Sequence, residues 1–257
     1  MSNNFKAMLK NVKSPLIGSW ITLAHPAIAE IMAKSGFDWL AVDMEHSVIT
    51  IREAEELIRV IDLAGVVPLV RLTSNNPDQI KRVMDAGAHG IIVPMVNSAR
   101  DAKNAVEAVK YPSMGKRGIG LARAQGYGTQ FQEYLDWEKT GSIVIVQVEH
   151  IDAVNSLEEI FSIDGVDGYI IGPYDLTSSI GIPGQFEHPD FLSAMEKIHL
   201  VASKLNMTGG IHVIEPEPDQ LIQRIEEGFR FIAYSLDIRM LDAACRKGLE
   251  HVKGVKL

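Results

Sequence analysis

The chain has little of what several large protein classes require. Its 257 residues contain one cysteine, Cys245, which excludes an internal disulfide framework and a thiolate zinc site, and suits a reducing cytoplasm. Basic residues are the minority: 25 Lys and Arg stand against 33 Asp and Glu, for a net charge of −8. That is the wrong sign for a surface that follows phosphate backbones or anionic lipid, so neither nucleic acid nor a membrane is expected as a partner. Long apolar runs are missing too. Even Ile58 to Leu69 is interrupted by Arg59 and Asp62, well short of the roughly 18 residues of a membrane span. The opening MSNNFKAMLKNVKS has basic residues but no continuous apolar segment, so no secretory signal is expected. No Ser-, Pro- or Gly-rich linker divides the chain, and no G-x-G-x-x-G follows an early strand, which argues against a dinucleotide-binding sheet.

What is present is a repeated unit: an amphipathic helix, a glycine, then a short apolar strand. Gly36 precedes FDWLAVD, Gly65 precedes VVPLVRL, Gly87 precedes AHGIIVP, Gly165 precedes VDGYIIG and Gly228 precedes FRFIAYS. A glycine at the end of a helix is where the chain turns through the left-handed conformation. Helix starts agree, with Thr50 and Glu53, and Ser98 and Asp101, spaced as capping boxes, and Asn76 capping a helix that begins with Pro77. LIGSWITL, SIVIVQVE and MTGGIHVI bring the count to eight strands. They are near-continuous apolar runs, as a sheet covered on both faces requires. Eight alternating βα units in this length predict an α/β protein folded as a single (β/α)₈ TIM barrel over residues 1–257.

In such a barrel the active site forms at the carboxyl ends of the strands. Those ends deliver Asp43-Met44-Glu45-His46, Arg71, Gln147-Val148-Glu149-His150, Gly172-Pro173-Tyr174-Asp175, His212 and Tyr234-Ser235-Leu236-Asp237. Gln147 and Glu149 are two apart and face the same side, and Asp175 lies just past the next strand. Two carboxylates from adjacent strand ends repel unless a cation lies between them, and oxygen ligands favour Mg²⁺ or Mn²⁺ over a structural zinc. The alternative is that both acids merely cap helices. The turn at Gly172, Pro173, Tyr174 and Asp175 offers free N–H groups suited to a carboxylate, or is an ordinary turn. Arg71 requires an anionic or carbonyl partner, either a substrate or, structurally, Glu149. His46 reads as a general base or as a surface histidine. His25, His89, His150, His188 and His251 read as structural or exposed. Tyr111 to Gly141, rich in glycine and arginine, reads as a basic flap over the barrel mouth or as a solvated crossover loop.

These segments together resemble the HpcH/HpaI family of class II, metal-dependent pyruvate aldolases over nearly the whole chain. The resemblance rests on Asp43-x-Glu45-His46, Val70-Arg71, Gly90-Ile-Ile-Val-Pro94, Arg117-Gly-x-Gly, Val146-Gln147-Val148-Glu149 and the run from Asp164 through Gly172-Pro-Tyr-Asp-Leu176 to Gly181. It implies an aldehyde-lyase that makes or cleaves the bond between pyruvate, as its enolate, and an aldehyde, acting on a 4-hydroxy-2-oxo acid. It implies a divalent ion, Mg²⁺ or Mn²⁺ with Co²⁺ or Zn²⁺ as further candidates, held by Glu149 and Asp175. Gln147 would contact the 2-oxo acid, His46 would be the acid/base with Asp85 raising its basicity, and Arg71 would stabilise the enolate. The backbone of Gly172, Pro173, Tyr174 and Asp175 would hold the carboxylate, with Trp20 lining the pocket. Arg123, in the glycine-rich flap, is expected to meet an anion on the aldehyde. The family also implies a hexamer, a trimer of dimers with C-terminal helices exchanged. Tyr174 departs from the small residue common there, and Gly120 to Gly128 also departs, which bears on the aldehyde. Decarboxylation of oxaloacetate through the same enolate is the alternative activity, and a non-catalytic barrel that binds an organic acid the alternative class. The predicted strands contain no lysine, which argues against a Schiff-base route.

Overall fold

The computed structural model describes residues 5–11 and 14–254. Part of the opening segment read for a secretory signal and the side chain of His251 lie outside the described residues. The strands are β1 (Leu16–Ile21), β2 (Trp39–Asp43), β3 (Val67–Arg71), β4 (Gly90–Val93), β5 (Ile143–Val148), β6 (Gly168–Ile171), β7 (Gly209–Val213) and β8 (Phe231–Leu236). All neighbours pair in parallel and β8 pairs with β1, closing the barrel in sequence order. The predicted (β/α)₈ architecture is therefore the observed one, with each of the eight expected strands in place.

The apolar runs bury both faces of the sheet. Outward residues such as Leu40, Val42 and Val146 pack under the helices, and inward ones such as Ala41, Leu69, Ile145 and Phe231 fill the barrel. Trp39 stacks on Phe231 at 4.2 Å inside the barrel, and Trp20 meets it edge-on at 6.0 Å. Gly18 makes room for this: a Cβ there would lie 2.0 Å from the Trp39 ring. The amino-terminal end of the barrel is closed by α1 (Phe5–Lys10), whose Phe5 and Leu9 join the interior cluster.

The helices that alternate with these strands include α2 (Pro26–Ala33), α3 (Ile51–Leu63), α4 (Pro77–Asp85) and α5 (Ala99–Val109), and further along α7 (Ile151–Asn155), α8 (Leu157–Phe161), α10 (Pro189–Leu205) and α11 (Pro218–Glu226). Their starts follow the sequence pattern. Thr50 and Glu53 form the capping box, and Asn76 accepts from the N–H groups of Asp78 and Gln79. At Ser98 the hydroxyl accepts from Asp101 N–H, while the Asp101 carboxylate turns to Asn97 N–H. Five helix-ending glycines, Gly36, Gly65, Gly87, Gly165 and Gly228, have φ between +82° and +102°. His25, His150 and His188 accept from backbone N–H groups at helix starts, as N-caps.

The stretch from Tyr111 to Gly141 differs from expectation. It holds a 3₁₀ turn (Arg123–Gly128) and α6 (Phe131–Gly141). It connects a helix to a strand, and such connections lie at the amino-terminal end of the barrel, opposite the active-site end. Its anchors agree. Lys110 Nζ donates to Glu138 O and Ser142 Oγ, both at 2.6 Å, at the entry to β5. Arg117 is buried between Tyr111 and Tyr134, with its Nη2 bound to Asp85 at 2.5 Å. This chain therefore does not fold the segment over its own barrel mouth as a flap.

Candidate active site

A pocket of about 460 Å³ opens at the carboxyl ends of the strands. It is lined by Trp20 from β1, Asp43 from β2, Arg71 from β3, Gln147 from β5 and His212 from β7. Residues just past the strands complete it: His46, Glu149, Gly172, Pro173, Tyr174 and Asp175, the last three in α9 (Pro173–Ser179). Nine of the eleven residues expected to form the site are thus brought together. Asp85 and Arg123 are not. Helix α4 starts at the mouth and runs back along the barrel, so Asp85, its last residue, emerges at the far end and binds Arg117 rather than His46. Arg123 also lies at that end, bound to Asp62 at 2.6 Å and Ala86 O at 3.2 Å. A larger cavity of about 650 Å³ opens beside it, but its carboxylate, Asp62, is already engaged by Arg123 and His89.

Adjacent strands place Asp43 and Arg71 side by side in register. Asp43 is 1% exposed and grips Arg71 in two bonds, Nε to Oδ1 at 2.9 Å and Nη2 to Oδ2 at 2.6 Å. The same Oδ1 accepts from the N–H groups of Glu45 and His46, at 3.0 and 3.2 Å. One buried carboxylate thus orients the guanidinium and shapes the turn that carries His46. The partners of Arg71 are Asp43 and, at 3.4 Å, Glu45, not Glu149, and its guanidinium also packs on the Trp20 ring at 4.3 Å. His46 is the exposed member, with Nε2 3.7 Å from Glu45 Oε2. Sequence reasoning assigned no role to Asp43 or Glu45, although both stand in the quoted motif.

Glu149 is buried and held from two sides. Its Oε1 accepts from Met95 N–H at 2.6 Å and its Oε2 from Gln147 Nε2 at 2.5 Å. Met95 adopts a positive φ of 53°, a conformation that costs energy for a side chain other than glycine and here accompanies an N–H aimed at the carboxylate. Burial raises the Glu149 pKa, against the pull of these two donors, and the charge of Asp175 raises it further. Burial likewise pushes Glu45 up to about 7; Arg71 opposes this, while Glu149 and Asp43 reinforce it. His212, set edge-on to Trp20 with Nε2 3.3 Å from Ser235 O, is held neutral by burial and by Arg71, down to about 4.

These residues fit a hard cation. Asp43, Glu45 and Glu149 bear on one guanidinium and Asp175 adds its charge beside Glu149, so negative charge is in excess; Gln147 Oε1 is buried without a hydrogen-bond partner, and Glu45 Oε2 meets Arg71 Nε as an ion pair at 3.4 Å. Among the described residues no group of three or more His, Cys, Asp or Glu is placed to hold a metal. Glu149 and Asp175 would therefore supply two oxygen ligands, leaving the other positions to water and substrate, which is how Mg²⁺-type ions are commonly bound.

Residues 16–244 match the family described as HpcH/HpaI aldolase/citrate lyase. The chain is 39% identical to a hydroxypyruvate/pyruvate aldolase of Sagittula stellata over 94% of both chains. It is 36% identical to a 4-hydroxy-2-oxo-heptane-1,7-dioate aldolase of Shigella sonnei, covering 95% of this chain and 92% of the relative. In structure it is similar to an HpcH/HpaI aldolase/citrate lyase family protein of Burkholderia cenocepacia, with a TM-score of 0.92 and 33% identity over 98% of this chain and 100% of the other.

Proposed function

The chain belongs to the HpcH/HpaI aldolase/citrate lyase family, and from that premise we propose that it is a metal-dependent pyruvate aldolase. It is a carbon–carbon lyase that cleaves a 4-hydroxy-2-oxo acid to pyruvate and an aldehyde, or runs the reverse condensation. The observation that carries this reading is the pocket itself: two carboxylates, Glu149 and Asp175, beside an arginine, Arg71, and an exposed histidine, His46. The relatives named hydroxypyruvate/pyruvate aldolase and 4-hydroxy-2-oxo-heptane-1,7-dioate aldolase support the same chemistry.

Glu149 and Asp175 would hold the divalent ion, with Mg²⁺ or Mn²⁺ best suited to their oxygen ligands. When bound, such an ion supplies Lewis acidity to the carbonyl of a 2-oxo acid. The chain's own residues do the rest. Gln147, with Oε1 unpartnered, faces the 2-oxo acid. Arg71, locked by Asp43, presents a fixed positive charge where the enolate oxygen develops negative charge, and needs no reorganisation to do so. His46 at the rim takes a proton from the pyruvate methyl group in condensation and delivers one to the aldehyde oxygen as the carbon–carbon bond forms; in cleavage both transfers run in reverse. The first-turn N–H groups of Tyr174 and Asp175 lack acceptors within α9 and would receive the substrate carboxylate, beside Gly172 and Pro173, while Trp20 forms the apolar wall. Tyr174 packs edge-on against Phe186 at 5.0 Å and lines the mouth. Among the described residues no lysine lines this pocket, and Lys110 is buried at the opposite end of the barrel, tied to Glu138 O and Ser142 Oγ.

The reading extends to a single catalytic domain, a cytoplasmic setting and a homo-oligomer, the hexamer of the family. No described helix is long and apolar enough to cross a membrane. Helix α12 (Asp237–Gly254) carries Leu241, Cys245, Leu249 and Val252 exposed at helical spacing, a stripe suited to packing on a neighbouring subunit. The direct test is release of pyruvate, coupled to lactate dehydrogenase, from 4-hydroxy-2-oxo acids of graded length with Mg²⁺ present. Pyruvate is expected from at least one of them, and none from any would overturn the reading.

A further inference from the structure

The pocket has a wall that the chemistry above does not use. At the ends of β7 and β8 it is apolar, made by Ile214, Leu236 and Ile238, and it finishes in Arg239 in the first turn of α12. Arg239 is held in place: Nη1 donates to Asp242 and Nη2 to Glu215, both at 2.6 Å. Asp242 is shared with Arg246, whose Nε lies 2.8 and 2.9 Å from its two oxygens, so two arginines balance two acids and what Arg239 offers a ligand is its remaining N–H donors in a fixed orientation. A guanidinium has five N–H donors, and with two engaged among the described residues, three remain for a ligand. The side chain is 35% exposed, so it is reachable from solvent and pocket alike.

The two ends of the pocket therefore ask for different chemical groups. The β3, β5 and β6 side, with Arg71, Glu149 and Asp175, takes the 2-oxo acid. Across the apolar wall, a pre-oriented guanidinium with spare donors matches an oxyanion in planar, paired hydrogen bonds. We infer that Arg239 is a specificity-determining residue that binds a distal carboxylate, sulfonate or phosphate on the aldehyde partner. This rests on the aldolase reading of the same pocket and deepens it by naming the class of aldehyde. It also moves the expected anion contact from Arg123, at the other end of the barrel, to a residue in the pocket.

The test compares kcat/KM for condensation with pyruvate, using 4-oxobutanoate against butanal and glyceraldehyde 3-phosphate against glyceraldehyde. The two pairs distinguish a carboxylate from a phosphate. The unmodified protein should prefer the charged member of at least one pair by about tenfold, the scale of one charge-assisted contact at a partly exposed site. In Arg239→Met that ratio should fall toward one through a higher KM for the charged aldehyde, and Arg239→Lys should retain part of it. Because the ratio is taken on one preparation, loss of folded protein cancels. Equal kcat/KM values in the unmodified protein, a ratio unmoved in Arg239→Met, or a lysine variant no better than the methionine variant would each overturn the assignment. Deuterium exchange at the pyruvate methyl group of the unmodified protein separates the two failures. Absent exchange overturns the aldolase reading, whereas exchange with an unmoved ratio overturns the role of Arg239 alone.

Discussion

Gly172 offers a sharp test of the proposed cation seat, because one methyl group there strikes one carboxylate. Its backbone, φ −100° and ψ 87°, is open to alanine, so the effect comes from contact and not from strain. An added Cβ would stand 2.8 Å from both Cβ and Oε2 of Glu149. Nonbonded carbon contacts settle at roughly 3.5–4.0 Å, so the Glu149 side chain must shift by about 1 Å. It cannot do so and keep both short bonds, from Met95 N–H and Gln147 Nε2. Displacing the groups that orient a ligand costs roughly 10–100-fold in metal affinity, and overpacking costs about 1–3 kcal/mol of stability. Gly172→Ala should therefore remain folded while binding Mn²⁺ about 10 to 100 times more weakly by titration calorimetry, the loss expected when the bonds that orient Glu149 are displaced. Gly120→Ala, whose Cβ meets nothing within 4 Å, should bind as the unmodified protein does. Affinity within about twofold of the unmodified value in Gly172→Ala would refute the placement of the ion at Glu149.

Other outcomes follow from the same geometry. Asp43→Asn keeps the shape but removes the charge gripping Arg71, so about 2–3 kcal/mol of stability and most pyruvate methyl exchange should be lost, read by thermal melting and proton NMR; a variant matching the unmodified protein in both would show that this pair orients nothing. His46→Ala should slow methyl exchange by roughly 10²–10⁴-fold with little change in pyruvate affinity, and unchanged exchange would place the base elsewhere. Because His212 titrates near 4 when folded and near 6.5 when unfolded, the unfolded chain binds the extra proton between those values. Its contribution is present above about pH 6.5 and is lost as pH falls toward 4, by up to about 3 kcal/mol. The pH dependence of melting should flatten over that window in His212→Asn, and an unaltered slope would count against a buried neutral ring.

The barrel was legible because its signals are local. Apolar runs, capping pairs such as Thr50 with Glu53, and helix-ending glycines such as Gly36 each act within a few residues. Gln147 and Glu149 were legible as a pair for the same reason: strand side chains alternate, and the structure joins these two by a hydrogen bond. The partner of Arg71 was not, since Asp43 is 28 residues away and meets it only through the β2–β3 register. Both are last residues of adjacent strands, which is the signal that could have found it. Asp85 and the Arg123 segment, expected at the site, lie at the other end of this chain's barrel, and that is a question of direction. Sequence motifs mark residues that matter but not which end of a barrel they reach, whereas the order helix, segment, strand does decide it. The left-handed Met95 gave no warning, because no glycine marks that turn.

If Glu149 and Asp175 hold a divalent ion as proposed, this pocket draws a proton from the methyl group of pyruvate only while that ion is bound. The most direct measurement is proton NMR of pyruvate in deuterium oxide with the protein and Mg²⁺, before and after exhaustive chelation, and again after the ion is restored. Methyl exchange should disappear on chelation, return with the ion, and be absent throughout in Glu149→Ala. Exchange that continues undiminished without the ion, or none in the loaded protein, would contradict the proposal.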